Sequence, residues 1–383
     1  MVRRVRAKES LRSVAKRFEV SLSHVQRWVA RAARERLDRV DWSDRPAGCG
    51  VPSNRAKPRI EKFVLALRRE LKDKSALGEY GAAAIRVEML RRGHASVPSL
   101  RTIGRILVRR GALGGRERRR HPPPPRGWYL PRLAAGKAEL ESFDIVDTLP
   151  IKGQGTVEVL NCVSLLGGLV GSWPLRRITS KAAVVAILEH WQDKGLPVYA
   201  QFDNDTVFQG AHQFADTMGR VIRLCLALGV TPVFAPPQEN GFQASIENYN
   251  GLWQKKVYAR FRHRSLEELQ SRSNDYIAAR RHRDADRIDA VARRAFPNRF
   301  VLDLQAPLRG TVIFLRRASP NGVVTVLGHK YDVGMDWAHK LVRAEVDLDR
   351  DRIRLFGLRR KDPTRQPLLA SVRYKMPHKP FHE

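Results

Sequence analysis

Cysteine is scarce in this chain. The three present, Cys49, Cys162 and Cys225, form no CxxC pair and no metal-ligand spacing. That excludes a disulfide scaffold and a cysteine-built zinc module, and it fits reduced thiols in a cytoplasmic protein. No stretch approaches the ~20 apolar residues of a membrane span. The opening residues Met1-Val2-Arg3-Arg4-Val5-Arg6 lack the apolar run of a secretory signal. Acidic residues are also in short supply: 39 Asp and Glu stand against 71 Lys and Arg, for a formal net charge of +32 in 383 residues. The shortage is uneven. Residues 1–140 hold 35 basic and 13 acidic side chains, 141–270 hold 12 and 13, and 271–383 hold 24 and 13. A near-neutral centre between basic flanks fits a chain that grips a polyanion at its ends and does something else in the middle. Arg far outnumbers Lys, which suits forked contacts to phosphate.

The flanks are helical. Leu11, Val14, Ala15 and Phe18 recur at helical spacing. Glu19-Val20-Ser21 interrupts them, and Val25, Trp28 and Val29 make a second apolar face. Ser21 or Ser23 can cap that second helix. Its other side carries Ser23, His24, Gln26 and Arg27, the side chains a helix-turn-helix would offer to a DNA major groove. A linker rich in Pro, Gly and Ser follows at 41–58. A second helical unit spans 58–113, with Ile60, Phe63, Val64 and Leu67 on one helix and Ala84, Ile85, Val87, Met89 and Leu90 on another. A third helix is capped by Ser99, with Ile103, Ile106 and Leu107 inside and Arg101, Arg105, Arg109 and Arg110 outside. Two such units would read a longer site than either alone. Residues 114–140 then form a basic linker containing four prolines at 122–125, extended and semi-rigid.

From 141 the pattern changes. Strands are expected at 143–149, 156–166, 169–174, 196–202 and 231–235, and helices at 181–194, 213–228 and 239–260. The order βββαβαβα is that of a ribonuclease-H-like α/β core with a mixed sheet. A helical extension follows at 263–298. Five short strand patterns within 299–360 suggest a small β-barrel, and 361–383 reads as a tail.

The chemistry-bearing residues lie in the core. Asp203 ends a short apolar strand, where ligands can be projected. Glu247 lies on a later helix and shares a face with Asn250 and Gln254. A third carboxylate lies in Phe143-Asp144-Ile145-Val146-Asp147. Strand parity places Asp144 with Val146 and Thr148 and puts Asp147 on a mainly apolar face. That favours Asp144, whereas the shorter distance from Asp147 to the turn at Gly153 argues for the alternative. Carboxylates from distant parts of a chain can converge on a divalent pair that acts on phosphodiesters.

These motifs, Asp203-Asn204-Asp205 and Ile246-Glu247-Asn248-Tyr249-Asn250 preceded by Pro236-Pro237 and Asn240-Gly241, resemble those of the DDE transposases and retroviral-type integrases. The likeness covers roughly 140–260, with flanks like those of bacterial insertion-sequence transposases. It implies a polynucleotidyl transferase that cuts element ends with water and joins a 3′-hydroxyl to target DNA. It also implies two Mg²⁺ or Mn²⁺ on Asp144 (alternatively Asp147), Asp203 and Glu247. DNA contacts would come from Asn250, Gln254, Lys255 and Lys256, and the chain would act as a homo-oligomer on double-stranded DNA, nucleoid-associated and away from membranes. Asp205 stands where the family usually has Gly. The 44 residues from Asp203 to Glu247 exceed the family's usual spacing, which implies an insertion within 209–229.

Overall fold

The computed structural model describes residues 1–43, 56–113, 127–211, 213–239 and 241–382. The Pro run at 122–125, most of the 41–58 linker, Cys49 and Asn240 lie outside the described residues. The chain divides into two compact units, Met1–Glu61 and Lys62–Glu383.

The first unit holds α1 (Val2–Arg6), α2 (Leu11–Arg17) and α3 (Leu22–Ala32). Ser10 caps α2, and Ser21 caps α3 by accepting the His24 amide at 3.2 Å. Val14, Ala15 and Val25 are buried between the helices. The added first helix supplies Val2, which packs with Ala32 and Val40. Phe18, expected inside, is 44% exposed. It sits at the end of α2, beyond the reach of α3's apolar stripe.

Next come α4 (Pro58–Lys74), which begins at the end of the first unit and lies mostly in the second, α5 (Ala82–Arg91) and α6 (Leu100–Arg109). Ser99 caps α6, and Ile85, Met89, Ile103, Ile106 and Leu107 are buried. Val87 and Leu90, expected inside α5, are exposed. A short α7 (Pro131–Ala134) leads into β1 (Leu140–Ile151), β2 (Gly155–Ser164) and β3 (Val170–Leu175). Then come α8 (Ser180–Lys194), β4 (Tyr199–Phe202), α9 (Thr206–Gln209), α10 (Arg220–Ala227), β5 (Thr231–Phe234) and α11 (Ala244–Trp253). A π-helical turn, Gln254–Tyr258, prolongs α11. The chain continues through α12 (Leu266–Arg283), α13 (Ala285–Asp289), β6 (Thr311–Arg317), β7 (Val323–Val326), β8 (His329–Asp332), β9 (Leu341–Asp347), β10 (Arg352–Leu358) and β11 (Leu368–Arg373). The helix expected at 213–228 begins only at Arg220. Gly210, at φ +87°, closes α9 and packs backbone to backbone against Gly219, so the described residues between them form turns rather than a helix.

The sheet is mixed, in the order β11-β10-β9-β6-β5-β4-β1-β2-β3. Strands β1, β2 and β3 are antiparallel neighbours, and β4 and β5 add in parallel beside β1. One face carries Phe143, Leu160 and Cys162 against α8 and α10. The other carries Val146, Val157, Val159 and Val163 against Ile246, Tyr249 and Trp253 of α11 and Leu269 and Tyr276 of α12. Trp191 and Trp253 are fully buried, one on each face, as core anchors.

The expected separate barrel at 299–360 is corrected by this topology. Strands β6, β9, β10 and β11 continue the core sheet, with β6 parallel to β5, and only β7 and β8 form their own hairpin. Short alternating strands look alike in sequence whether they close on themselves or extend a neighbour. The expected tail contributes the edge strand β11.

Candidate active site

Register sets the site. Ser142 of β1 is level with Gln201 of β4 in a parallel pair. Two residues further along each strand come Asp144 and Asp203, so both carboxylates fall at the same level and on the same face. That face is the one covered by α11, which carries Glu247 in its first turn. Ile246, Tyr249 and Trp253 hold the helix down: Tyr249 Oη lies 2.8 Å from Ser172 Oγ, and the Trp253 indole donates to Ser273 Oγ at 3.0 Å. Glu247 is left exposed beside the strand ends.

Asp144 senses its neighbours. Burial, and then the negative charges of Asp203 and Glu247, push its carboxyl up from the ordinary 3.8 to about 6, against hydrogen bonds from the Ile145 amide and Asn250. Asp203 is raised as well, by burial and the charge of Asp205, although it accepts the Asp205 amide at 3.0 Å. Asp147 stands apart. The β1–β2 register slips between Val146 and Leu149, with Thr148 at φ +54°. This bulge returns Leu149 to the core face and leaves Asp147 exposed in solvent. Of the two first-carboxylate alternatives, Asp144 is the one gathered with Asp203 and Glu247.

Asp205, where the family motif has Gly, has a local role. It takes an extended conformation and caps α9 by accepting the Val207 amide at 2.7 Å. Asn204 donates to the Ala235 carbonyl at 2.8 Å and ties the turn to the end of β5.

Two residues expected to face DNA are otherwise engaged. Asn250 is buried and donates Nδ2 to Asp144 Oδ2 at 2.6 Å. Lys256 Nζ bonds the Gly78 carbonyl and lies over the Tyr80 ring. With Arg260, which donates to the carbonyls of Lys72, Asp73 and Ser75, it fastens the end of α4 to the π-turn. Gln254 is half-buried and Lys255 exposed. Arg101, Arg105 and Arg109 form an exposed stripe along α6. On α3, Ser23, Gln26 and Arg27 are exposed, while His24 is half-buried and accepts the Trp28 indole N–H at 3.0 Å.

Residues beyond the motifs also shape the site. Asn161 of β2 is directly opposite Asp144 and fully buried. Its signal was present in the sequence as the one amide in an otherwise apolar run, Val159-Leu160-Asn161-Cys162-Val163. On the opposite sheet face, Glu141 accepts from Arg293 Nη2 (2.6 Å) and Trp191 Nε1 (2.7 Å), with His190 Nε2 at 3.2 Å. Burial opposes its ionisation, yet His190, Arg293 and Trp191 outweigh it and hold Glu141 down to about 2. This cluster braces β1 from behind.

Among the described residues no group of three or more His, Cys, Asp and Glu side chains forms a ready-made metal cage. The donor set fits Mg²⁺ or Mn²⁺ in another way. These ions take one or two carboxylates and leave other positions to water and substrate phosphate, and the repulsion that Asp203 and Glu247 exert on Asp144 is what a divalent cation relieves.

No family model and no curated protein matches the chain. Among solved structures, it is similar to the catalytic core domain of BIV integrase (16% identity, 37% of this chain and 80% of that one, TM-score 0.27). It is also similar to the HTLV-2 integrase catalytic core domain in complex with magnesium, trimeric form (14%, 36% and 81%, TM-score 0.28). A third likeness is the simian T-cell lymphotropic virus intasome in complex with PP2A regulatory subunit B56 gamma (13%, 69% and 84%, TM-score 0.32). At such low identity and score these likenesses decide nothing about chemistry.

Proposed function

We propose that this chain is a DDE-type DNA transposase or integrase, with Asp144, Asp203 and Glu247 as its metal-holding carboxylates. The observation that carries the reading is their convergence. Two come from adjacent parallel strands at one level and the third from the helix laid across them, and Asp144 feels the charge of both others. Two Mg²⁺ or Mn²⁺ bound there would supply Lewis acidity to an in-line displacement at phosphorus.

The chain's own residues prepare that site. Asn250 fixes one oxygen of Asp144 by hydrogen bonding. The Asp205 amide does the same for Asp203. The apolar seat of α11 holds Glu247 at the strand ends. DNA would be gripped by the basic flanks: Ser23, Gln26 and Arg27 on α3 in a groove, the α6 arginine stripe along phosphates, and Lys255 near the reacting end. The division into 1–40, 58–113, 114–140, 141–262, 263–298, 299–360 and 361–383 belongs to this proposal as functional segments. So does action as a homo-oligomer holding two ends.

The test is a product analysis on duplex DNA carrying the sequence that flanks this gene, with a plasmid target. Wild type is expected to give metal-dependent 3′-hydroxyl ends and end–target joints, and Glu247→Gln neither. Cut ends without joints would make the chain a nuclease. Identical, metal-independent results for both proteins would leave a DNA-binding regulator.

A further inference from the structure

Strand β2 is lined with Val157, Val159, Leu160 and Val163, yet its centre holds Asn161, with no solvent exposure. Asn161 Nδ2 donates to Asn250 Oδ1 at 2.8 Å, and Asn250 Nδ2 donates to Asp144 Oδ2 at 2.6 Å. The two amides thus form a one-way chain ending on the carboxylate. The direction is dictated chemically. An ionised carboxylate only accepts, so Asn250 must turn its NH₂ toward Asp144, which leaves its oxygen facing β2. A donor on β2 then satisfies that oxygen. Asn161 meets the need, and its own Oδ1 is left buried without a hydrogen-bond partner. A fold selecting for stability alone would put an aliphatic side chain here, as at the neighbouring positions, because an unmatched buried amide oxygen is costly.

We infer that Asn161 is a positioning residue that fixes the Asn250 amide, and through it the orientation in which Asp144 meets a divalent cation. The inference rests on the proposed reading of Asp144 as a metal ligand. Asn161 touches neither cation nor DNA. It acts at one remove, as the outer partners of metal ligands do.

The test uses the full chain and Mn²⁺ alone, with free Mn²⁺ counted by electron paramagnetic resonance. Folding is checked by circular dichroism, and cleavage is measured in parallel. Asn161→Val removes the donor. Asn161→Asp keeps the shape but accepts where Asn161 donates, so it turns the Asn250 oxygen toward Asp144. We expect Mn²⁺ affinity to fall about tenfold in Asn161→Val and further in Asn161→Asp. The Asn161→Val/Asn250→Ala double variant should be no weaker than Asn250→Ala, because one residue acts through the other. Cleavage should lose kcat with KM for DNA unchanged.

Mn²⁺ affinity within twofold of wild type in both Asn161 variants would overturn the inference and leave the functional reading standing. So would losses that multiply in the double variant, or a smaller loss in Asn161→Asp than in Asn161→Val, which is the order expected of a merely structural residue. Wild type without saturable Mn²⁺ binding would overturn both. Wild type that binds Mn²⁺ but leaves DNA intact would end the transposase reading alone, while the affinity order still supports Asn161.

Discussion

Replacing Asp144 by Asn should make the metal-free protein more stable while removing its activity. Asp144 is held where its charge is unwelcome, half-buried and facing Asp203 and Glu247. A rise in its pKa from 3.8 to about 6 corresponds to about 3 kcal/mol at most, and screening by water at this half-open position reduces that to about 1–3 kcal/mol. The sign follows from linkage. The folded protein binds the proton more tightly than the unfolded chain does. Below the unfolded value of 3.8 both states are protonated and the site costs nothing. As pH rises through about 6, the folded state must ionise against its neighbours and stability is lost. The amide introduced by Asp144→Asn would keep the shape, accept from Asn250 and never ionise. The assay is guanidinium unfolding of wild type and Asp144→Asn in EDTA from pH 4 to pH 8. The variant's advantage should be near zero at pH 4 and reach its plateau above pH 7. Added Mn²⁺ should narrow the gap at pH 8 by binding wild type selectively. A stability difference independent of pH would refute the claim that burial and the neighbouring carboxylates raise Asp144.

Other consequences are open to measurement. Arg293→Ala leaves Glu141 buried with only His190 and Trp191, and should cost about 3 kcal/mol in denaturant unfolding. Glu141 sits below its ordinary range, so its contribution is present above pH 4.5 and is lost as pH falls toward 2. The variant should therefore unfold at a higher pH than wild type in an acid titration. Arg101→Ala and Arg105→Ala should weaken DNA binding evenly across sequences, and each should lower the slope of log affinity against log salt by about 1. An unchanged slope would place the α6 stripe away from the phosphates.

Much of the core was legible because its periodicities are strong. The apolar runs of β1, β2, β4 and β5 and the face of α8 lie within a few residues of where their patterns placed them, and Ser21 and Ser99 cap the helices they were assigned to. The places of Asp203 just past a strand end and of Glu247 on a helix were readable from the pattern. Asp144 and Asp147 were weighed by strand parity, which favoured Asp144, and by distance to the Gly153 turn, which favoured Asp147; parity breaks just after Val146, where the bulge shifts the register and sends Asp147 outward, something no alternation rule reveals. The roles of Lys256 and Asn250 were missed for a related reason. A lysine just beyond α11 looks like a DNA contact until the chain folds Gly78 beneath it, and an amide three residues past a glutamate looks solvent-facing until Asp144 and Asn161 close around it. The C-terminal strands illustrate the same limit, since strand pattern fixes which face is apolar but not which neighbour the edge will join.

Whether Asp203 holds a divalent cation during DNA strand transfer can be tested with an Asp203→Cys substitution. Thiolate is a soft ligand that disfavours Mg²⁺ relative to Mn²⁺. In the end-joining assay the variant is expected to lose on the order of 10⁴-fold in Mg²⁺ and to regain at least about tenfold in Mn²⁺, whereas Asp203→Ala stays inactive in both. Wild-type activity of the cysteine variant in Mg²⁺, or an equal loss in the two metals, would show that Asp203 is not a metal ligand in strand transfer.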